Sequence, residues 1–178
     1  MTRLRFATVW LGGCSGCHMS FLDLDEWLVG LAANVDVVFG PLVDAKAYPD
    51  GVDLVLVEGA VANEDNLELI RAVREKTATV VSFGDCAVTG NVTALRNTLG
   101  DPSPMLQRVY VDAADRSEGV PDRVVPALLP KVLPVHQVIP VDVFIPGCPP
   151  DAPRIKRVLE SLLVGEAVPR RAQDIRFG

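Results

Sequence analysis

Five short apolar runs constrain this chain more than any other feature. They cover residues 5–11, 35–39, 53–57, 79–83 and 141–145, and each is followed within two residues by a glycine. Runs this short, rich in Val, Ile, Leu and Phe and closed by turn residues, read as buried β-strands. The stretches between them have helical spacing. Phe21, Leu24, Leu28 and Leu31 recur on one face, widened by Leu22 and Trp27, and predict a helix over 20–31. Asn63 or Asp65 caps a helix reaching about Lys76, with Leu67, Ile70 and Val73 turned inward. A further helix is expected from Cys86 to about Thr98. Asp151 and Pro153 start a last one, whose inner face is Ile155, Val158, Leu159 and Leu162.

Buried strands alternating with amphipathic helices require a parallel sheet covered on both faces. Five strands with their crossovers fit a flavodoxin-like, doubly wound α/β fold in the order 2-1-3-4-5. One domain over 1–178 is expected. Residues 100–140 form a long Pro-rich insertion, because Pro121, Pro126, Pro130, Pro134 and Pro140 forbid a long helix there. Its apolar residues, among them Val124, Val125, Leu128, Leu129, Val132 and Leu133, need cover. An irregular loop packed on its own domain and a partner surface are equally good solutions.

Composition narrows the function. With a net charge of −6 and no Lys/Arg run, the chain is a poor nucleic-acid binder. No apolar run approaches the length of a membrane span. Residues 1–13 superficially resemble a lipoprotein signal ending at Cys14. Their apolar run is short, however, and reads equally as a first strand entering a Gly-rich turn. The expectation is a chain without a targeting signal, in a reducing cytoplasm, where cysteines point to metal or redox chemistry.

Four cysteines are present. Cys14 and Cys17 form Cys-Ser-Gly-Cys after the first run, Cys86 follows the fourth in Gly-Asp-Cys-Ala, and Cys148 follows the fifth in Pro-Gly-Cys-Pro-Pro. Strands of a parallel sheet point the same way, so residues just past their carboxyl ends share one edge, where ligands of open α/β sheets bind. The spacing therefore brings four thiols to one place and points to a single [4Fe–4S] cluster. The neighbouring glycines would let backbone N–H groups approach an anionic cluster. A buried apolar cysteine is the ordinary role of a lone thiol, but it does not explain four at strand ends. Structural zinc usually pairs two close CxxC knuckles, and only one CxxC is present. A CxxC redox pair leaves Cys86 and Cys148 unused. A flavin phosphate loop needs more hydroxyls than Gly12 to Gly16 offer.

These motifs carry a resemblance. Gly13-Cys14-Ser15-Gly16-Cys17, Val57-Glu58-Gly59, Gly84-Asp85-Cys86-Ala87 and the block from Val143 to Pro150 (Val-Phe-Ile-Pro-Gly-Cys-Pro-Pro) resemble the small subunit of [NiFe] hydrogenases. The cluster subunit of NADH:quinone oxidoreductase is related. It has adjacent cysteines where this chain has Cys14-Ser15-Gly16-Cys17, which favours hydrogenase. The single set of four cysteines and the run from Cys17 to Asp23 resemble the cytoplasmic NAD(P)-linked branch. The resemblance implies that Cys14, Cys17, Cys86 and Cys148 hold the proximal [4Fe–4S] cluster. It implies a large subunit with the Ni–Fe centre, and a diaphorase module with FMN and further Fe–S clusters that reduces NAD+. This chain would relay electrons between them without being catalytic alone. Many small subunits carry an acid just after the second cysteine for proton transfer, and His18 and Met19 stand here instead. The alternatives are a quinone-reductase-like cluster subunit and a zinc-stabilised interaction domain.

Glu58 should end the third strand on the cluster edge, either handling protons or hydrogen bonds there or capping backbone N–H groups. Asp85 leans to a structural role. His18 could donate to a cluster sulfur or a backbone carbonyl. His136 is expected to be satisfied or at the surface, and Trp10 and Trp27 to be core. Arg170 and Arg171 should touch a partner or solvent.

Overall fold

The computed structural model describes residues 3–116 and 119–168. The chain opens with β1 (Leu4–Trp10), turns through Gly12 to Ser15, and enters α1 (Gly16–Leu22) and α2 (Trp27–Asn34) before β2 (Val35–Phe39). Then come β3 (Val52–Glu58), β4 (Val61–Asn63), α3 (Glu64–Lys76), β5 (Thr77–Phe83) and α4 (Asp85–Thr89). A 3-10 helix (Val92–Leu99), α5 (Ser103–Gln107) and one turn of π-helix (Arg108–Asp112) lead to β6 (Leu128–Leu133). A short 3-10 turn (Val135–Gln137), β7 (Val143–Ile145) and α6 (Ala152–Leu163) complete the described chain.

The main sheet has the order β2-β1-β3-β5-β7, and every pair in it is parallel. Numbered among these five strands alone, that is 2-1-3-4-5, as the alternation of runs predicts. Side chains of a strand alternate between faces, and β3 divides its residues accordingly. Leu54 and Leu56 pack with Phe6, Leu31, Phe83, Ile155 and Leu159 under α1, α2 and α6. Val55 and Val57 pack with Val9, Ile70, Val73 and Val80 under α3 and the segment carrying Val135 and Ile139. Both faces of the central strands are buried, which is why those strands read as nearly continuous apolar runs.

Helix ends follow local chemistry. Asn63 caps α3 by accepting the Asn66 N–H at 2.8 Å, with Glu64 and Asp65 in the first turn and Arg74 and Lys76 in the last, complementing the helix dipole. Asp151 caps α6 by accepting the Arg154 N–H at 2.7 Å.

Four expectations need correction. The helix over 20–31 is two helices. The chain breaks between Leu22 and Trp27, where Asp25 adopts a left-handed φ of 48°. The helix from Cys86 to Thr98 is also two pieces, parted at Gly90 and Asn91 (φ 89° and 36°). The 100–140 segment is not an irregular loop throughout. Its β6 pairs antiparallel with β4 in a second, two-stranded sheet, so Val132 is buried on the domain itself. Trp10 is not core either: it is 46% exposed and donates its indole N–H to the Gly13 carbonyl at 3.1 Å. Trp27 is partly buried beside Leu24 and Leu31. Arg170 and Arg171 lie outside the described residues.

Candidate metal centre

All three cysteine loops leave the carboxyl ends of parallel strands. Cys14 lies in the turn after β1 and Cys17 in the first turn of α1, Cys86 in α4 after β5, and Cys148 between β7 and α6. β3 lies between β1 and β5, so its last residue, Glu58, stands in the middle of this edge. None of the four thiols is in a disulfide.

Hydrogen bonds tie the loops to one another. Gly12 and Ala60 exchange two backbone bonds of 2.9 Å, which pins the turn before Cys14 against the loop after β3. Asp85 is buried, donates its backbone N–H to the Gly147 carbonyl at 3.1 Å, and accepts the Gly147 N–H on its carboxylate at 2.7 Å. The Cys86 and Cys148 loops are thus joined at residues adjacent to the cysteines, which is the structural role expected for Asp85. Ser20 donates to the Pro150 carbonyl at 2.6 Å and links α1 to the Cys148 loop.

Glycine makes room among the sulfurs. A Cβ built on Gly84 would stand 2.2 Å from Cys17 Sγ, and one on Gly16 would stand 3.2 Å from Cys14 Sγ. Gly84 also holds φ 89°, a region glycine adopts freely. Gly147 has φ 139°, and a Cβ there would meet Pro150 Cα at 2.5 Å. Donors reach the sulfurs directly. The Gly16 N–H donates to Cys14 Sγ at 3.4 Å, and the Asn91 side-chain amide donates to Cys148 Sγ at 3.2 Å.

Electrostatics set the chemistry of the edge. Burial pushes the Cys17 thiol far above its ordinary value, and Glu58, Cys86, Cys14 and Cys148 push the same way. Burial also raises Cys86, partly offset by hydrogen bonds from Thr93. Cys17 and Cys86 therefore resist ionisation while no cation sits beside them. Metal ligation requires thiolates, and cationic iron supplies the charge that would produce them. Among the described residues, no group of three or more His, Cys, Asp or Glu side chains stands close enough together to hold a metal ion. The glycines and N–H donors around the thiols supply the room and the positive dipoles that an anionic centre on these sulfurs would need.

Glu58 is almost fully buried at 1% exposure. It accepts the His18 backbone N–H at 2.9 Å and forms a short contact with His18 Nδ1. His18 therefore pairs with a carboxylate rather than with a sulfur or a carbonyl. This pair escaped sequence reasoning because its members are 40 residues apart and no motif joins them. His136 is exposed and packs edge-on against Phe144. Beside His18 opens an apolar cavity of about 430 Å³, lined in part by Phe6, Trp10, Met19, Phe21, Leu22 and Leu42.

A doubly wound parallel sheet with four free thiols on its carboxyl edge places the chain among α/β domains that gather cysteines at one sheet edge. The chain belongs to the family of the NADH ubiquinone oxidoreductase 20 Kd subunit, whose model matches residues 14–162. Within the relatives, hydrogenase subunits are prominent, in line with the resemblance in the motifs. The chain is 39% identical over 170 residues to the delta subunit of the NAD-reducing hydrogenase HoxS of Cupriavidus necator, covering 92% of this chain and 80% of that protein. It is 37% identical over 171 residues to one of the subunits of the F420-non-reducing hydrogenase of Methanothermobacter marburgensis, covering 93% of this chain. It spans about half, 55%, of that relative's length. A chain in the crystal structure of an NAD+-reducing [NiFe]-hydrogenase in the H2-reduced state superposes with a TM-score of 0.93 at 38% identity, covering 99% of this chain and 100% of that one. No helix among the described residues is long and apolar enough to cross a membrane.

Proposed function

We propose that this chain is the electron-transfer small subunit of an NAD-reducing [NiFe] hydrogenase. The observation that carries the reading is the delivery of four free thiols from three loops to one sheet edge, in a chain that follows a subunit of such an enzyme along its whole length. Cys14, Cys17, Cys86 and Cys148 would hold one [4Fe–4S] cluster, which when bound takes up and releases single electrons. The protein's own residues fix the thiol positions through Asp85, Ser20 and the Gly12–Ala60 bridge, clear space at Gly84, and supply N–H donors from Gly16 and Asn91. Glu58 and His18 hold the start of α1, and so Cys17, against the end of β3. We assign this pair a hydrogen-bonding role at the edge, in place of the acid found after the second cysteine in other small subunits.

The partners in this reading are a large subunit with the Ni–Fe centre, which oxidises H2, and diaphorase subunits with FMN and further Fe–S clusters, which reduce NAD+. Exposed apolar side chains beside the edge favour permanent partners. Val92, Leu95 and Leu99 are each 64% exposed and recur every three or four residues on the 3-10 helix that follows the Cys86 helix. Residues 1–178 act as one cluster-binding domain, with 100–140 as an insertion. NAD+ as acceptor implies the cytoplasm. An anaerobic preparation tests the assignment: about four Fe and four sulfides per chain, a visible absorption that bleaches on reduction, and a copurifying nickel subunit are expected. Fewer than about two Fe per chain would defeat it. The family match supports a second reading, a quinone-reductase-like subunit, which a nickel-free, quinone-reducing complex would favour.

A further inference from the structure

Asn91 occupies an unusual position for a residue with a side chain. It separates α4 from the 3-10 helix with φ 36° and ψ −133°, a region where a Cβ is strained and glycine is free. The preceding residue, Gly90, is already a glycine with φ 89°. A second glycine would relieve the backbone, so the asparagine must offer something glycine lacks. What it offers is an amide whose Nδ2–H donates to Cys148 Sγ at 3.2 Å, across 57 residues of sequence. Two residues on, the Thr93 hydroxyl donates to the Gly12 carbonyl at 3.1 Å, and Thr93 also hydrogen-bonds Cys86. This one turn therefore touches all three cysteine loops.

We propose that Asn91 is a positioning residue that sets the reduction potential of the centre by donating a fixed N–H to the Cys148 thiolate. The inference rests on the cluster reading above. On reduction the cluster gains one electron from its donor and becomes more negative, while Asn91 neither gains nor loses a proton. A fixed N–H dipole aimed at a ligand sulfur stabilises the more negative state more, and so raises the potential. Among side chains, an amide serves here because its nitrogen end is only a donor and carries no charge to be neutralised.

The test is a redox titration followed by electron paramagnetic resonance, on the full chain with its cluster and on the copurified complex. Asn91→Gly suits the backbone and removes the donor. Asn91→Asp keeps the shape and replaces the donor with carboxylate oxygen. Both are expected to retain wild-type iron and sulfide. At a fixed potential the reduced-to-oxidised ratio should fall roughly tenfold in N91G, a downward shift of about 59 mV for one electron, and further in N91D. Ratios within about twofold of wild type in both variants would overturn the proposal. So would reduced iron content with an unshifted potential in the loaded fraction, which is what a merely structural residue would give. Wild-type protein without iron would instead defeat the cluster reading, and this inference with it.

Discussion

A Cβ at Gly84 would stand 2.2 Å from Cys17 Sγ, and the backbone there holds φ 89°. Gly84→Ala therefore has to move a proposed ligand or strain the turn. We expect it to lower iron per chain severalfold while far-ultraviolet circular dichroism stays near wild type; full iron content in the variant would contradict the crowding argument. His18→Ala removes one of the two contacts His18 makes to the Glu58 carboxylate. With Glu58 buried at 1% exposure, we expect a loss of about 1–3 kcal/mol in urea unfolding, with less from Glu58→Gln, which keeps the shape without a charge. The cysteines were legible in the sequence because each follows a run whose direction the fold dictates. Asn91 and the His18–Glu58 pair were not, because their meaning lies in side-chain contacts 57 and 40 residues away.

Among the elements, the three central strands were legible because burial on both faces writes them as nearly continuous apolar runs, and the two edge strands because a glycine closes each short run. The β4–β6 pair was not. Three residues, Val61-Ala62-Asn63, are too few to show a period, and Pro130 inside Leu128–Leu133 reads as a breaker. Proline is tolerated there because a two-stranded sheet leaves each strand an unpaired edge. The break between α1 and α2 was hidden as well, since the stripe Phe21, Leu24, Leu28, Leu31 crosses it without interruption. Caps were easier, because Asn63 and Asp151 each precede an amphipathic run. Removing the side-chain acceptor in Asn63→Ala leaves the Asn66 N–H without it and should cost about 1 kcal/mol, read as a lower melting temperature. An unchanged midpoint would mean that the first turn of α3 frays in the native protein.

Tyr48 ties distant parts of the molecule together. It comes from the β2–β3 connection, meets Phe39 edge-on at 5.1 Å, and shares a 2.7 Å hydrogen bond with Thr77 at the start of β5. Burial pushes its hydroxyl up from 10.0 to about 12. Below about pH 10 it is neutral in both folded and unfolded chains and its contribution is whole. Between about 10 and 12 the unfolded chain has lost the proton and the folded chain keeps it, so stability falls as pH rises, by up to about 1.4 kcal/mol per pH unit. Unfolding of the protein across this window should show that decline, and Tyr48→Phe should flatten it. Equal slopes in both proteins would rule out Tyr48 as the cause. The four-thiol edge has a consequence in time as well. A ribosome delivers Cys14 and Cys17 first, Cys86 after 68 intervening residues, and Cys148 after 61 more. The first pair thus waits for its companions while four more strands of the main sheet are made. A chain halted before β7 would display three of the thiols, so if the proposed centre forms on all four, its iron content reports that synthesis has passed the last cysteine.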